Sequence, residues 1–211
     1  MEFRELKPLK RFISSDNSCL FNAINYVCNK DNHTEDSAYI LRNIIASKII
    51  NDTDYYNSSL LGMSNQNYQN YILDSKNWGG AIELDILSKY FKTMICVFQL
   101  KTLKKLCFGE DKNYDSKVFI LYDEMHYDSL VLNQDESSNF DLDITKFSCN
   151  NTKVDELFFG LVYEMHNNGE FTDFSAMKLM CLDCMKKFSG HTEAIEHAQL
   201  TQHQNLTEID Y

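Results

Sequence analysis

Two short apolar runs constrain this chain most: MICVFQL at 94–100 and KVFILYD at 117–123. Both are rich in β-branched and aromatic residues and read as buried strands. The spacing predicts a further strand over 103–108, ending in a turn at Gly109. Around these runs the apolar period switches to that of a helix. Residues 36–50 place Ile40, Leu41, Ile44, Ile45 and Ile49 on one face, and 65–73 reads as a short helix. Residues 80–91 predict a helix that buries Ile82, Ile86, Leu87 and Tyr90. In 155–169, Leu157, Phe158, Leu161 and Met165 fit a helix with Gly169 as its C-cap. The expected fold class is α/β (α+β), a small central β-sheet flanked by helices. Composition shifts near residue 170, which sets the expected domains at 1–169 and 170–211.

Of the 211 residues, 44% are apolar and 13% aromatic, enough for a real core. The formal net charge of −11 repels a phosphate backbone, so no nucleic acid partner is expected; a basic protein partner is easier to attract. The charged start, MEFRELKPLK, has no apolar signal-peptide core, and no apolar run reaches membrane-spanning length, so no membrane partner is expected. Seven cysteines with one C-x2-C pair point to metal and thiol chemistry in a reducing compartment, hence a cytoplasmic location. Cys28, Cys96, Cys107 and Cys149 read as buried or incidental.

The C-terminal segment gives C-x2-C-x12-H-x5-H through Cys181, Cys184, His197 and His203. Zinc takes four N/S ligands in a tetrahedron, and a knuckle plus a helix supplies them at this spacing. His191 is a substitute ligand at worse spacing. Phe188 falls where a finger places its core aromatic, and Ala194 takes a slot usually held by a larger residue. The finger, about 179–205, is too short to fold by apolar burial alone, so its zinc is structural and contributes on the order of 10 kcal/mol. More acid than base over 178–211 argues against a phosphate footprint.

In SSDNSCLFNAINYV, polar residues precede Cys19, and Leu20, Ala23, Ile24 and Val27 follow at helical spacing. Cys19 is therefore expected in the first turn of a helix, where unpaired N–H groups and the dipole favour thiolate. A nucleophilic thiol needs a base and a group to orient it. His126 follows a predicted buried strand across a short turn, and Asp128, two residues on, shares a face with it in an extended segment. Spacing alone does not bring Cys19 and His126 together in space.

DNSCLFNAI and HYDSL resemble the Cys and His motifs of the ovarian-tumour (OTU) family of papain-like cysteine proteases, which are deubiquitinases. YYNSSLLGMSNQNYQNYI, WGGAIELDILSKYF, ICVF and FGED are similar to its YOD-type branch, as is the zinc-finger pattern around His197 and His203. The resemblance implies an OTU fold and a ubiquitin-specific thiol isopeptidase acting on ubiquitin and polyubiquitin chains as a monomer, with no cofactor needed for catalysis. A ubiquitin-binding adaptor on the same fold is the alternative. It implies Cys19 as nucleophile, His126 as general base, and Asp16 and Asp128 as the catalytic acids, with the dominant one left open. Substrate contacts are implied at Ile13, Ser14, Ser15, Asn17 and Ser18 in the Cys loop, and at Asn77, Trp78, Gly79 and Gly80 in a loop beside the channel. Tyr122, Asp123, Glu124, Met125 and Tyr127 around the His complete the set. Trp78 and the two glycines read equally as channel wall or as core Trp and helix cap. The resemblance also brings in an N-terminal ubiquitin-like UBX module that branch members often carry and that docks on a segregase-type AAA ATPase. Here the pattern starts near residue 10, so that module is expected to be absent, and the ATPase is a partner by analogy only.

Overall fold

The structure, a computed structural model, describes residues 6–30, 36–134, 139–173, 176–203 and 205–209. It divides into two units, 1–170 and 171–211. In the first, strands β1 (Lys7–Arg11), β2 (Met94–Gln99), β3 (Lys104–Phe108), β4 (Ser116–Tyr122) and β5 (Tyr127–Asn133) form a sheet ordered β1-β5-β4-β2-β3. A short β6 (Phe147–Ser148) pairs with the start of β4. The two apolar runs are the parallel pair β2 and β4, with Ile95 opposite Val118 and Val97 opposite Ile120. Their central stretches, 95–98 and 118–121, are apolar at every position because both faces of the sheet are covered.

Alternation assigns the faces. Ile95, Val97, Val118 and Ile120 join one core with α1 (Cys19–Asn29), α2 (Ser37–Asn51), α4 (Asn65–Leu73) and α5 (Ala81–Phe91). On the other face, Phe119 meets Phe158 of α6 (Thr152–Asn167) at a centroid distance of 4.8 Å. The one-turn α3 (Ser58–Leu61) is capped by the Asn57 side chain.

Three expected stripes are rotated. On α2, Leu41, Arg42, Ile45 and Ile49 are buried while Ile40 is exposed. On α5, Glu83, Leu84, Ile86 and Leu87 are buried and Tyr90 is 54% exposed. The Glu83 carboxylate can turn inward because Tyr68 Oη (2.7 Å) and the Gly80 N–H (2.6 Å) donate to it. On α6 the stripe is Val154, Phe158, Val162 and Met165, leaving Leu157 exposed. Among the cysteines read as incidental, Cys96 and Cys107 face each other across β2 and β3 with sulfurs 3.1 Å apart.

β1 carries no apolar alternation, yet it pairs along β5 and is anchored by Arg11. Buried Asp143 accepts from Arg11 Nε (2.9 Å) and Nη2 (2.8 Å), and from Tyr26 Oη and Asn133 Nδ2. Burial alone would raise the Asp143 carboxyl; the hydrogen bonds from Arg11, Tyr26 and Asn133 outweigh it and hold the pKa below the ordinary 3.8. Its contribution is therefore present above that value and lost as pH falls through the lower folded one. Asp143→Ala would remove the buried carboxylate that Arg11, Tyr26 and Asn133 share, with an expected cost of about 3–5 kcal/mol in urea unfolding. A shift of less than about 1 kcal/mol would show the network to be dispensable.

The second unit holds β7 (Lys178–Cys181), β8 (Lys187–Ser189) and β9 (Leu206–Glu208) in the order β8-β7-β9, with α7 (His191–Thr201). Its core is Leu179, Cys181, Phe188 and Ala194, so Phe188 and Ala194 occupy the positions read from the spacing.

Candidate active site

Helix α1 begins at Cys19, after the loop 14–18. Cys19 and Tyr127 line the same cavity, and the backbone N–H groups of Tyr127 and Leu20 act to lower the pKa of the Cys19 thiol. Tyr127 opens β5, directly after the turn that carries His126, so the two motifs meet. Burial pushes the Cys19 thiol above its ordinary 9.0, against the pull of those two N–H groups and with the carboxylates of Asp16 and Asp128 adding to the rise. The expectation that the helix start would favour thiolate is therefore corrected: desolvation outweighs it.

The His126 ring is held from one side. Its Nε2 lies 2.9 Å from the Ile13 carbonyl and 3.2 Å from Asp128 Oδ1. Asp128 Oδ1 also accepts the Ile13 N–H at 2.8 Å, so the backbone of Ile13 and the carboxylate brace each other. With Nε2 engaged, Nδ1 is the nitrogen left for proton exchange with a thiol. Below the ring, Asp123 Oδ1 accepts the N–H groups of Met125 (2.9 Å) and His126 (2.6 Å). Tyr122 Oη donates to the Glu124 carbonyl at 2.6 Å, across a turn in which Glu124 takes φ +88°.

Of the two candidate acids, Asp128 is the one on the imidazole. Asp16 serves the loop instead: its Oδ1 accepts the Ser18 N–H at 2.7 Å and the Asn22 amide at 3.4 Å, and its carbonyl accepts the Cys19 N–H at 3.3 Å. Ser14 contributes a carbonyl to the same turn, accepting the Asp16 N–H at 2.9 Å, and Ser15 is exposed in it.

Cys19 opens into a cavity of about 140 Å³ with three walls: Asn17 and Leu20; Trp78, Gly79 and Gly80; and Tyr122, Met125 and Tyr127. Trp78 is 51% exposed and donates from Nε1 to Asn17 Oδ1 at 2.8 Å, so it is not a core Trp, while Gly80 does cap α5. A Cβ at Gly79 would stand 2.9 Å from Phe21 Cζ, so a larger residue there would have to displace that buried ring. Asn77 faces inward, its amide donating to the Tyr71 carbonyl at 2.8 Å.

In the second unit, one ligand atom from each of Cys181, Cys184, His197 and His203 lies within 4.8 Å of the others. His203 Nδ1 is buried without a hydrogen-bond partner. A soft N2S2 donor set with an orphaned ring nitrogen fits a structural zinc ion.

Residues 14–132 match the family model described as OTU-like cysteine protease. The chain belongs to the OTU-like cysteine protease family. Residues 175–209 of this OTU chain match a second model, the C-terminal C2H2-type zinc finger of ubiquitin thioesterase OTU1. Among its relatives is "Ubiquitin thioesterase OTU1" of Dictyostelium discoideum, 40% identical over 94% of this chain and 61% of the relative. Another is "OVARIAN TUMOR DOMAIN-containing deubiquitinating enzyme 2" of Arabidopsis thaliana, 37% identical over 95% of this chain and 97% of the relative. The chain thus spans about three fifths of the Dictyostelium protein and nearly all of the Arabidopsis one. A solved OTU domain in complex with ubiquitin superposes with a TM-score of 0.67 at 28% identity, covering 78% of this chain and 90% of that one.

Two OTU-site residues escaped the sequence reading. Phe12 stacks on His126, with centroids 5.6 Å apart and planes at 26°, although 71% of it is exposed. Arg42 is 1% exposed and reaches the Cys loop from α2. Its signal was present: it lies three residues before Ile45 and seven before Ile49, a charge at apolar helical spacing.

Proposed function

We propose that this chain is a cysteine isopeptidase that cleaves the bond after the C-terminal glycine of ubiquitin. The observation that carries the reading is that Cys19 and the two neighbours of His126, Met125 and Tyr127, line one cavity, with the imidazole held by Asp128 and Ile13. The names of the relatives and the ubiquitin-bound OTU neighbour support the choice of substrate.

In the proposed reaction the Cys19 sulfur attacks the glycine carbonyl and its proton passes to His126 Nδ1. The positive end of the α1 dipole stabilises the oxyanion. Protonated His126 then donates to the leaving lysine amine, and a thioester remains. Water, deprotonated by His126, hydrolyses it. Asp128 fixes the ring, and Asp16 shapes the loop. A cavity walled by Trp78 and the two glycines suits a tail without side chains. The finger's zinc is structural in this reading, and the seven free cysteines suit a reducing, cytoplasmic setting. Among the described residues, no helix is long and apolar enough to cross a membrane.

Ubiquitin carrying a C-terminal electrophile tests the reading: covalent capture at Cys19, lost in Cys19→Ser, is expected. Reversible binding without capture would identify a ubiquitin-binding adaptor on the same fold. Salt-sensitive binding to nucleic acid would refute both.

The pH dependence follows from the raised thiol. Since burial favours the neutral form, higher pH supplies the nucleophile. Alkylation of Cys19 by iodoacetamide, followed by peptide mapping, is expected to climb from about pH 6 to about pH 9. A plateau already reached near pH 5 would show a preformed thiolate–imidazolium pair and refute this.

A further inference from the structure

We propose that Arg42 is a positioning residue that sets the thiol loop against the Trp78 wall of the cavity. The proposal rests on the functional reading above. Its guanidinium joins three stretches of main chain. Nη2 donates to the Asn17 carbonyl (3.0 Å), Ser18 Oγ (3.2 Å) and the Asn77 carbonyl (2.9 Å). Nη1 donates to the carbonyls of Ile72 (2.9 Å) and Asp74 (3.3 Å), at the end of α4. Because the fork is planar and rigid, none of these carbonyls moves without disturbing the others.

The grip falls on one peptide in particular. The carbonyl between Asn17 and Ser18 is held by Arg42, and the N–H of the same peptide is held by Asp16 Oδ1 at 2.7 Å. That peptide, one residue before the thiol, is fixed at both ends and cannot rotate. The opposite wall hangs from the same cation, since Asn77 immediately precedes Trp78. A third link runs through Phe21: the guanidinium lies 4.2 Å over its ring, and the far end of that ring fills the space a Cβ on Gly79 would need. The distance between the two walls, and with it the line along which a glycine tail meets the sulfur, is thus set by one buried side chain.

Arg42→Lys keeps the charge but concentrates three donors at one point, so it cannot span the carbonyls. In the full chain, capture by electrophilic ubiquitin is expected to slow by about 10²-fold through its maximal inactivation rate, with the half-saturating probe concentration changed by no more than about twofold. Alkylation of Cys19 by iodoacetamide stays near the wild-type rate. Amide hydrogen exchange accelerates at 14–18 and 77–80 but not in the sheet. Added guanidinium partly restores capture in Arg42→Ala. Ile49→Ala, a cavity in the same helix, serves as the stability control. Capture by Arg42→Lys at the wild-type rate, or losses that match those of Ile49→Ala, would overturn the proposal. Unfolding of Arg42→Lys and Arg42→Ala alike would overturn it in favour of a role in stability alone. If wild-type protein is not captured, the isopeptidase reading fails, and exchange at the two loops still decides the role of Arg42: unchanged rates would refute it.

Discussion

Cys19→Ala is expected to bring hydrolysis of a ubiquitin C-terminal amide to background while ubiquitin is still bound. Loss of the nucleophile from a comparable triad lowers kcat on the order of 10⁶-fold, because the remaining groups have no bond to form with the carbonyl. Binding should survive. Cys19 is half-buried on the cavity floor, while Trp78, Tyr122 and Met125 form walls that the substitution leaves in place. The change removes one sulfur from the first turn of a helix whose core residues, Leu20, Phe21, Ala23, Ile24 and Val27, are untouched. Turnover measured with a fluorogenic ubiquitin amide, and affinity measured by calorimetry, separate the two effects. Residual turnover well above background would move the nucleophile elsewhere, and loss of both turnover and binding would make Cys19 a structural residue.

Stripping zinc is expected to unfold residues 178–209 and to spare the first unit. The second unit's own core comprises Leu179, Cys181, Phe188 and Ala194, and its strands are three or four residues long. Such burial falls far short of the ordering entropy, and a structural zinc site supplies roughly 10 kcal/mol or more. Without the ion, two thiols and two imidazoles are left crowded within 4.8 Å. Hydrogen exchange in the full chain, before and after a zinc-selective chelator, checks this. Protection should vanish over 178–209 and persist in β2, β4 and β5. Protection retained over 178–209 would show that burial alone holds the finger. Loss of exchange protection in the sheet would show that the first unit depends on the metal.

What could be read in the sequence, and what could not, divides by the range of the interactions. The helix at 65–73 was legible to the residue because its signals are local: Ser64 caps it through the Asn67 N–H. The pairing of His126 with Asp128 was legible because it needs only the alternation of an extended strand. The placement of Cys19 at a helix start was legible for the same reason, but its protonation was not, since burial is a property of the assembled fold. Ile13, the backbone partner of the imidazole, lies 113 residues from it in sequence and reaches it through the pairing of β1 with β5. β1 itself, KPLKR, has no pattern of its own. Arg42 and Glu83 misled the helix stripes because a charged residue counts as outward-facing until its partners are known. Those partners are distant carbonyls in one case and Tyr68 with Gly80 in the other.

The place of β1 at the rim of the sheet has a practical consequence. Any polypeptide joined ahead of Lys7 is tethered to the ribbon whose far end cradles the histidine ring. A tag, a fusion partner or a surface attachment at that terminus therefore pulls on the edge strand that leads into Ile13, whose carbonyl lies 2.9 Å from His126 Nε2.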